Sequence, residues 1–185
     1  MNVQEYIKEK QFNPFASDEN IGRVLKEQSD DRNLVKGPMM AKNKPSAFNQ
    51  MITCNWIDPD LFWGWRVKMD GDKPSGFVTL LTVKEFHSMQ SDERTIMGGP
   101  ALGAVADATC GINTLFAMRR FCPIIKIEHY FQKQIKVGHT LITENIYLEK
   151  WKDGLYNAEG IQKCLETGEQ IGTYYAVCKD LKYKE

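Results

Sequence analysis

Gly98-Gly99-Pro100-Ala101-Leu102-Gly103-Ala104-Val105-Ala106-Asp107-Ala108-Thr109-Cys110-Gly111-Ile112-Asn113-Thr114-Leu115-Phe116-Ala117-Met118-Arg119-Arg120 is the stretch on which the fold turns. Pro100 falls where a first helical turn tolerates proline, and Arg119-Arg120 fall where a last turn favours cations. The run between them predicts one helix of about 20 residues, the long end of the usual range. Ala, Gly, Leu, Val and Ile occupy nearly every side of it, and a helix apolar all round must be enclosed by other structure. Asp107 is the exception on that surface. An ionisable group there costs several kcal/mol unless it is paired or serves chemistry.

The segments on either side predict what encloses the helix. Before it, Leu61–Met69 reads as a strand, Asp70-Gly71-Asp72 with Lys73-Pro74 as a turn, and Gly76–Val83 as the returning strand. After it, Pro123–Phe131, His139–Trp151, Leu155–Glu166 and Gln170–Leu181 are strand-like, with turn signals at Lys136-Val137-Gly138, Lys152-Asp153-Gly154 and Glu166-Thr167-Gly168. In the second run Leu141, Thr143, Asn145 and Tyr147 alternate with Ile142, Glu144, Ile146 and Leu148. Successive hairpins of this kind make an antiparallel sheet with one covered face. The expected class is α+β: two strands, one buried helix, then a meander of four long strands.

Residues 1–57 differ in texture and are expected to form an N-terminal extension to a domain at 58–185. They are polar, carry the charge-dense run Lys26–Arg32, and show short helical patterns near 2–10 and 19–29. Such an extension is either a solvated arm or a helix packed on the core. The 185 residues fit one domain, and 42% hydrophobic with 26% charged residues is ordinary globular composition. Lys plus Arg and Asp plus Glu both number 24, so the formal net charge is zero. That balance argues against a nucleic-acid partner, which demands a basic excess. Five cysteines, Cys54, Cys110, Cys122, Cys164 and Cys178, form no CxxC pair and read as reduced thiols of a cytoplasmic protein. Met1–Phe12 lacks an apolar signal core and no run approaches 18 apolar residues, so no membrane span is expected.

The element order, with Gly-Gly opening a buried helix that carries one carboxylate, resembles the hotdog-fold thioesterases of the phenylacetic-acid and acyl-CoA thioesterase type. The resemblance covers about residues 58–182 and rests on residues 98–108 together with Phe131-Gln132-Lys133-Gln134-Ile135-Lys136-Val137-Gly138. It implies one long helix wrapped by a curved sheet of about six strands, subunits paired sheet edge to sheet edge, and an acyl-CoA lying across the subunit interface. It also implies a homodimer, with pairing into a homotetramer left open. Gly98 stands where many relatives have the His of a His-Gly-Gly motif, and Gly99 at the glycine whose backbone N–H polarises the thioester carbonyl. Pro100 replaces the next glycine. Asp107 matches the helix carboxylate that acts as base or nucleophile, and Asp92 an upstream Asn that helps set the site. Gly98, Pro100 and Asp92 are thereby candidate substrate-binding residues, while Ile124 or Ile125 replaces a hydroxyl often found on the strand after the helix.

The residues themselves are compatible with acyl transfer, although the resemblance supplies much of that reading. N–H groups of Gly98-Gly99 lie at the positive end of the helix dipole, where an oxyanion is stabilised. A desolvated Asp107 with a raised pKa can activate water or attack a thioester carbon directly. No GxSxG elbow is present. His87, His129 and His139 show no ligand spacing, so neither a metal nor another cofactor is expected. Cys110, one turn beyond Asp107, reads as a small buried residue. Three readings follow: an acyl-CoA or acyl-thioester hydrolase, a non-catalytic acyl-CoA binding or regulatory module, and, ranked lowest because Gly98 replaces the motif His, a hydratase or dehydratase.

Overall fold

The computed structural model describes residues 1–10, 13–14, 62–70, 73–88, 95–118, 122–152 and 154–180. The expected helix near 19–29 and the candidate site residue Asp92 lie outside these residues. A first helix, α1 (Val3–Lys10), is followed by the two-residue strand β1 (Asn13–Pro14) and the hairpin β2 (Phe62–Asp70) and β3 (Lys73–Thr82). A 3₁₀ turn at Glu85–His87 leads to α2 (Gly99–Met118). The chain then runs through β4 (Ile124–Phe131), β5 (Thr140–Lys152), β6 (Leu155–Cys164) and β7 (Gln170–Lys179). All strands join one antiparallel sheet in the order β1-β2-β3-β5-β6-β7-β4, so α2 is the crossover between neighbouring halves of the sheet.

Local chemistry explains the boundaries. Asn2 caps α1: its side-chain oxygen accepts the Glu5 N–H at 2.9 Å while the Glu5 carboxylate accepts the Asn2 N–H at 2.8 Å, a reciprocal capping box. Asp70 pairs with Lys73, closing the first hairpin over two residues. The turns after β5 and β6 need a left-handed residue, and Gly154 (φ +67°) and Gly168 (φ +71°) supply it without steric cost.

The sheet is buried on both faces at its centre. Thr79 faces α2, bonding Thr109, whereas Val78 and Leu80 point the other way and form a cluster with Ile142 and Leu165. Val3, Tyr6 and Ile7 of α1 cover that second cluster, so at least this part of the N-terminal extension packs on the core. Between α2 and the sheet lies the other cluster, made of Ala106, Cys110, Cys122, Tyr156, Ala158, Tyr174, Ala176 and Cys178. Even-numbered residues of β6 and β7 face it, as period-two geometry requires. No helix among the described residues is long and apolar enough to cross a membrane.

Enclosure of α2 is incomplete within one chain. Leu102, Val105, Ala106, Ala108, Thr109 and Cys110 are buried, but Pro100 and Asp107 are exposed, with Gly103 and Ala104 between them and Gly111 beyond them half-buried. The expected wrapping holds on the sheet side only.

The tightest packing constraint is Gly160, paired across the strands with Tyr174. A Cβ at 160 would sit 2.0 Å from Tyr174 Cζ, and that ring is 2% exposed and cannot swing away. Gly160→Ala is therefore expected to destabilise the fold by about 2–3 kcal/mol through overpacking, read as a lower midpoint in denaturant melts. A wild-type midpoint would show that the ring relaxes freely.

Candidate active site

The start of α2 is fixed by backbone bonds that distinguish its two glycines. The Gly98 N–H donates to the His87 carbonyl at 2.9 Å, and the Gly98 carbonyl accepts the N–H groups of Ala101 and Leu102, both at 3.1 Å. The preceding Met97 N–H donates to Ile135 O at 2.9 Å. The expectation that both glycine N–H groups are open is corrected on this point: Gly98 is engaged. Gly99 N–H has no hydrogen-bond partner among the described residues, and Pro100 has no N–H to offer. One donor is left at the positive end of the helix, with the Phe131 ring 3.4 Å from where a Gly99 Cβ would stand. Gly98 is buried and Pro100 exposed beside it.

Residues 99, 103 and 107 follow at i, i+4 and i+8 and share one face of α2. That face runs along β4, since the position of a Gly103 Cβ lies 3.9 Å from His129 Nδ1, two residues before Phe131 on the same strand face. Asp107 continues the row. Its side chain is exposed in the single chain, yet burial by the protein around it pushes its carboxyl above the ordinary 3.8. Exposure limits the size of that rise. The direction suits a general base.

The same chain does not bring Asp107 to Gly99. Eight residues of helix at 1.5 Å rise separate them by about 12 Å, whereas an oxyanion donor and a base acting on one carbonyl must both lie within about 3 Å of the reacting atoms. Within one chain the two groups therefore do not meet at one carbonyl.

Cys110 is excluded as nucleophile by its surroundings. It is buried, and its thiol is pushed well above 9.0 by the hydrogen bond with Cys178, by burial, and by the charges of Cys178 and Asp107, the Thr114 hydroxyl opposing. Ile124 packs against the inner cluster and Ile125 is exposed, so neither offers a hydroxyl-like function at the site.

Sequence reasoning missed a polar layer under the first turns of α2. The Gln162 amide donates one N–H to Leu102 O and the other to Thr143 Oγ1, both at 3.0 Å. The Tyr174 hydroxyl donates to Asn145 Oδ1. Both His129 ring nitrogens, Asn145 Nδ2 and Gln162 Oε1 are buried with no hydrogen-bond partner among the described residues. The signal available in the sequence was a polar residue at alternate strand positions, as in Thr143 and Asn145, which alternation alone does not assign to the inner face.

No protein-family model matches the chain, and no curated protein matches it. Solved structures do. Zebrafish thioesterase superfamily member 2 matches with a TM-score of 0.55 at 12% identity, covering 84% of this chain and 96% of that one. The Escherichia coli PaaI protein from the phenylacetic acid degradation operon matches at 0.57 and 9%, over 72% and 92%. A Streptococcus mutans protein bound to acetyl CoA matches at 0.51 and 8%, over 61% and 86%. The chain has the hotdog fold of these thioesterase-superfamily structures, as the order of its elements leads one to expect.

Burial holds the His129 pKa below 6.5, with Gln162 opposing. The unfolded chain therefore takes the proton first, and stability falls as pH drops below 6.5. In His129→Leu that acid-side loss should be absent, and at neutral pH stability should be unchanged or raised by up to about 1 kcal/mol, because a buried group without partners has been removed. Denaturant melts at several pH values check both. A loss of more than that at neutral pH would show that the imidazole is satisfied.

Proposed function

We propose that this protein hydrolyses acyl-CoA or a related acyl thioester, as a homodimer whose sites each combine Gly99 of one protomer with Asp107 of its partner. The supporting observation is the single open N–H at the start of α2 on the same helix face as a carboxylate about 12 Å further on. Each chain carries both halves of a site and cannot join them. A two-fold axis perpendicular to α2 can, because it sets the two helices antiparallel and brings the start of one beside a later point of the other.

The sheet favours such a pairing. β4 is the last strand in the sheet order, paired with β7 on one side, and Ile125, Ile127, Tyr130 and Phe131 along it are exposed. An unpaired apolar edge is covered in stable proteins. The open face of α2 runs beside this edge, so a second copy seated there also encloses Pro100, Gly103 and Asp107. In that enclosure Asp107 loses more water, its pKa rises further, and the carboxylate becomes the stronger base or nucleophile. The Gly99 N–H, with the helix dipole behind it, then polarises the thioester carbonyl and holds the oxyanion as it forms.

Bound CoA in the Streptococcus mutans structure is a property of that protein. For this chain it supports acyl-CoA as the first substrate class to test.

Two variants test chemistry and assembly together. Asp107→Asn is nearly isosteric and should stay folded while losing most thiol release. Gly99→Pro deletes the donor and should lower kcat by roughly 10²–10³, the usual cost of one oxyanion-hole donor. Mixing the two variants under conditions that exchange subunits should restore about one quarter of the wild-type rate, since random pairing makes half the dimers mixed and each mixed dimer holds one intact site. No restoration, with exchange verified by mass, overturns the shared site. Wild-type turnover by Asp107→Asn overturns the role of the carboxylate.

In the wild type, hydrolysis should decline toward acid as Asp107 takes up its proton, with the midpoint above 3.8. The rate profile against pH measures it. A midpoint at or below 3.8 would remove Asp107 as the titrating base.

A further inference from the structure

His139, Cys164 and Glu166 stand together at one end of the sheet, and none of them belongs to the acyl-transfer face. His139 immediately precedes β5, Cys164 ends β6, and Glu166 lies in the turn that follows. Pairing of β5 with β6 sets Leu141 opposite Cys164 and so closes a separation of 25 residues. Cys164 Sγ is 3.4 Å from His139 Nδ1 and 3.4 Å from Glu166 Oε2, and one donor atom from each residue lies within 4.8 Å of the others.

These separations suit one ion. Bond lengths of about 2.3 Å to sulfur and 2.0–2.2 Å to nitrogen or oxygen, in a tetrahedron, give ligand-to-ligand edges of about 3.4–3.6 Å. The two edges at Cys164 therefore need to open by only a few tenths of an ångström. The donors also rest on a fixed frame. Thr140 N–H donates to Glu166 Oε2 at 2.8 Å, Leu165 N–H to Thr140 O at 2.9 Å, Gly168 N–H to Cys164 O at 2.9 Å, and Val83 N–H to His139 O at 2.8 Å. Burial, the largest influence, acts to raise the Glu166 pKa, but the hydrogen bonds from Thr140, from its own backbone and from Cys164 together outweigh it and leave the carboxyl below 4.5.

We propose that His139, Cys164 and Glu166 form a binding site for a single zinc-class divalent cation. One soft sulfur, one imidazole nitrogen and one carboxylate oxygen select zinc over calcium or magnesium, which favour oxygen alone. On binding, the Cys164 S–H bond breaks, its proton leaves to solvent, and a metal–sulfur bond forms without any change of oxidation state. The thiolate and carboxylate together cancel the charge of the ion, which removes the cost of a buried lone thiolate at Cys164, 2% exposed. Glu166 is exposed and His139 half-buried, so the fourth position faces solvent. Spacing along the sequence conceals this set, because the histidine reaches the cysteine only through strand pairing.

The test uses the full chain stripped of metal and does not depend on hydrolysis. One equivalent of Co²⁺ should produce a thiolate-to-cobalt charge-transfer absorption that Zn²⁺ displaces, and Zn²⁺ should raise the melting temperature. The absorption should vanish in Cys164→Ser. His139→Gln, which alters a half-exposed side chain and leaves the core intact, should weaken Zn²⁺ binding at least tenfold, the lower end of what even an outer partner contributes. No absorption at stoichiometric Co²⁺ overturns the proposal, and so does an absorption that persists in Cys164→Ser, or an unchanged Zn²⁺ affinity in His139→Gln.

Discussion

The two N–H bonds of the Gln162 amide set the height of α2 on the sheet. A helix surfaced almost wholly by Ala, Gly and aliphatic residues has shape but little direction, and hydrophobic burial alone is indifferent to a small slide along its axis. A hydrogen bond is not indifferent, because moving it out of range leaves a buried donor unsatisfied at a cost of about 1–3 kcal/mol. Gln162 holds Leu102 O at the first turn, and Thr79 holds Thr109 near the middle through a 2.9 Å hydroxyl pair. Everything the acyl-transfer face presents is measured from those two points. Gly99 lies one turn before the first, and Asp107 lies between them on the side turned from the sheet.

Once α2 is pinned, its own rise fixes the distance from Gly99 to Asp107 at eight residues of helix, and no side-chain adjustment shortens it. In the proposed mechanism the two groups at one carbonyl come from two protomers, and the exposed edge of β4 beside the same helix face would receive the second copy. A Cβ at 99 would stand 3.4 Å from the Phe131 ring and one at 103 would stand 3.9 Å from His129, both ordinary contact distances.

Long periodic elements were legible because hydrophobic pattern dominates them. Helix α2, the first hairpin and four strands after the helix follow from residues 61–181 read alone, with strand ends moved by up to three residues, but the expected meander of four holds only for β5, β6 and β7, because the crossover carries β4 to the far side of β7. What could not be read was the sense of the alternation. Thr143 and Asn145 face inward while Ile146, Ile125 and Trp151 are exposed, an inversion that works because inner amides and hydroxyls satisfy one another. Sequence periodicity separates two faces and names neither when polar pairs fill one and an apolar edge awaits cover on the other. The resemblance points to Gly99 as the donor, but the engagement of Gly98 was hidden, since it depends on the carbonyl of His87.

The core beneath α2 carries different side chains along its length. Gln162, bonded to Leu102 O at the first turn, and His129, beside Gly103, hold polar atoms without a partner among the described residues. Ala106 and Cys110, further along the helix, pack against Tyr156, Ala158, Tyr174, Ala176 and Cys178, with the Thr79 and Thr114 hydroxyls as the polar groups there. Asp107 stands over that second group, close enough for its charge to add to the rise of the Cys110 thiol. An anion above an apolar floor is poorly solvated and gains by taking a proton or forming a bond, whereas an oxyanion above dipoles is stabilised as it develops. In the proposed mechanism the carboxylate is the group that gains from losing water, and the polar side chains of the core lie toward the end of the helix where the oxyanion would form.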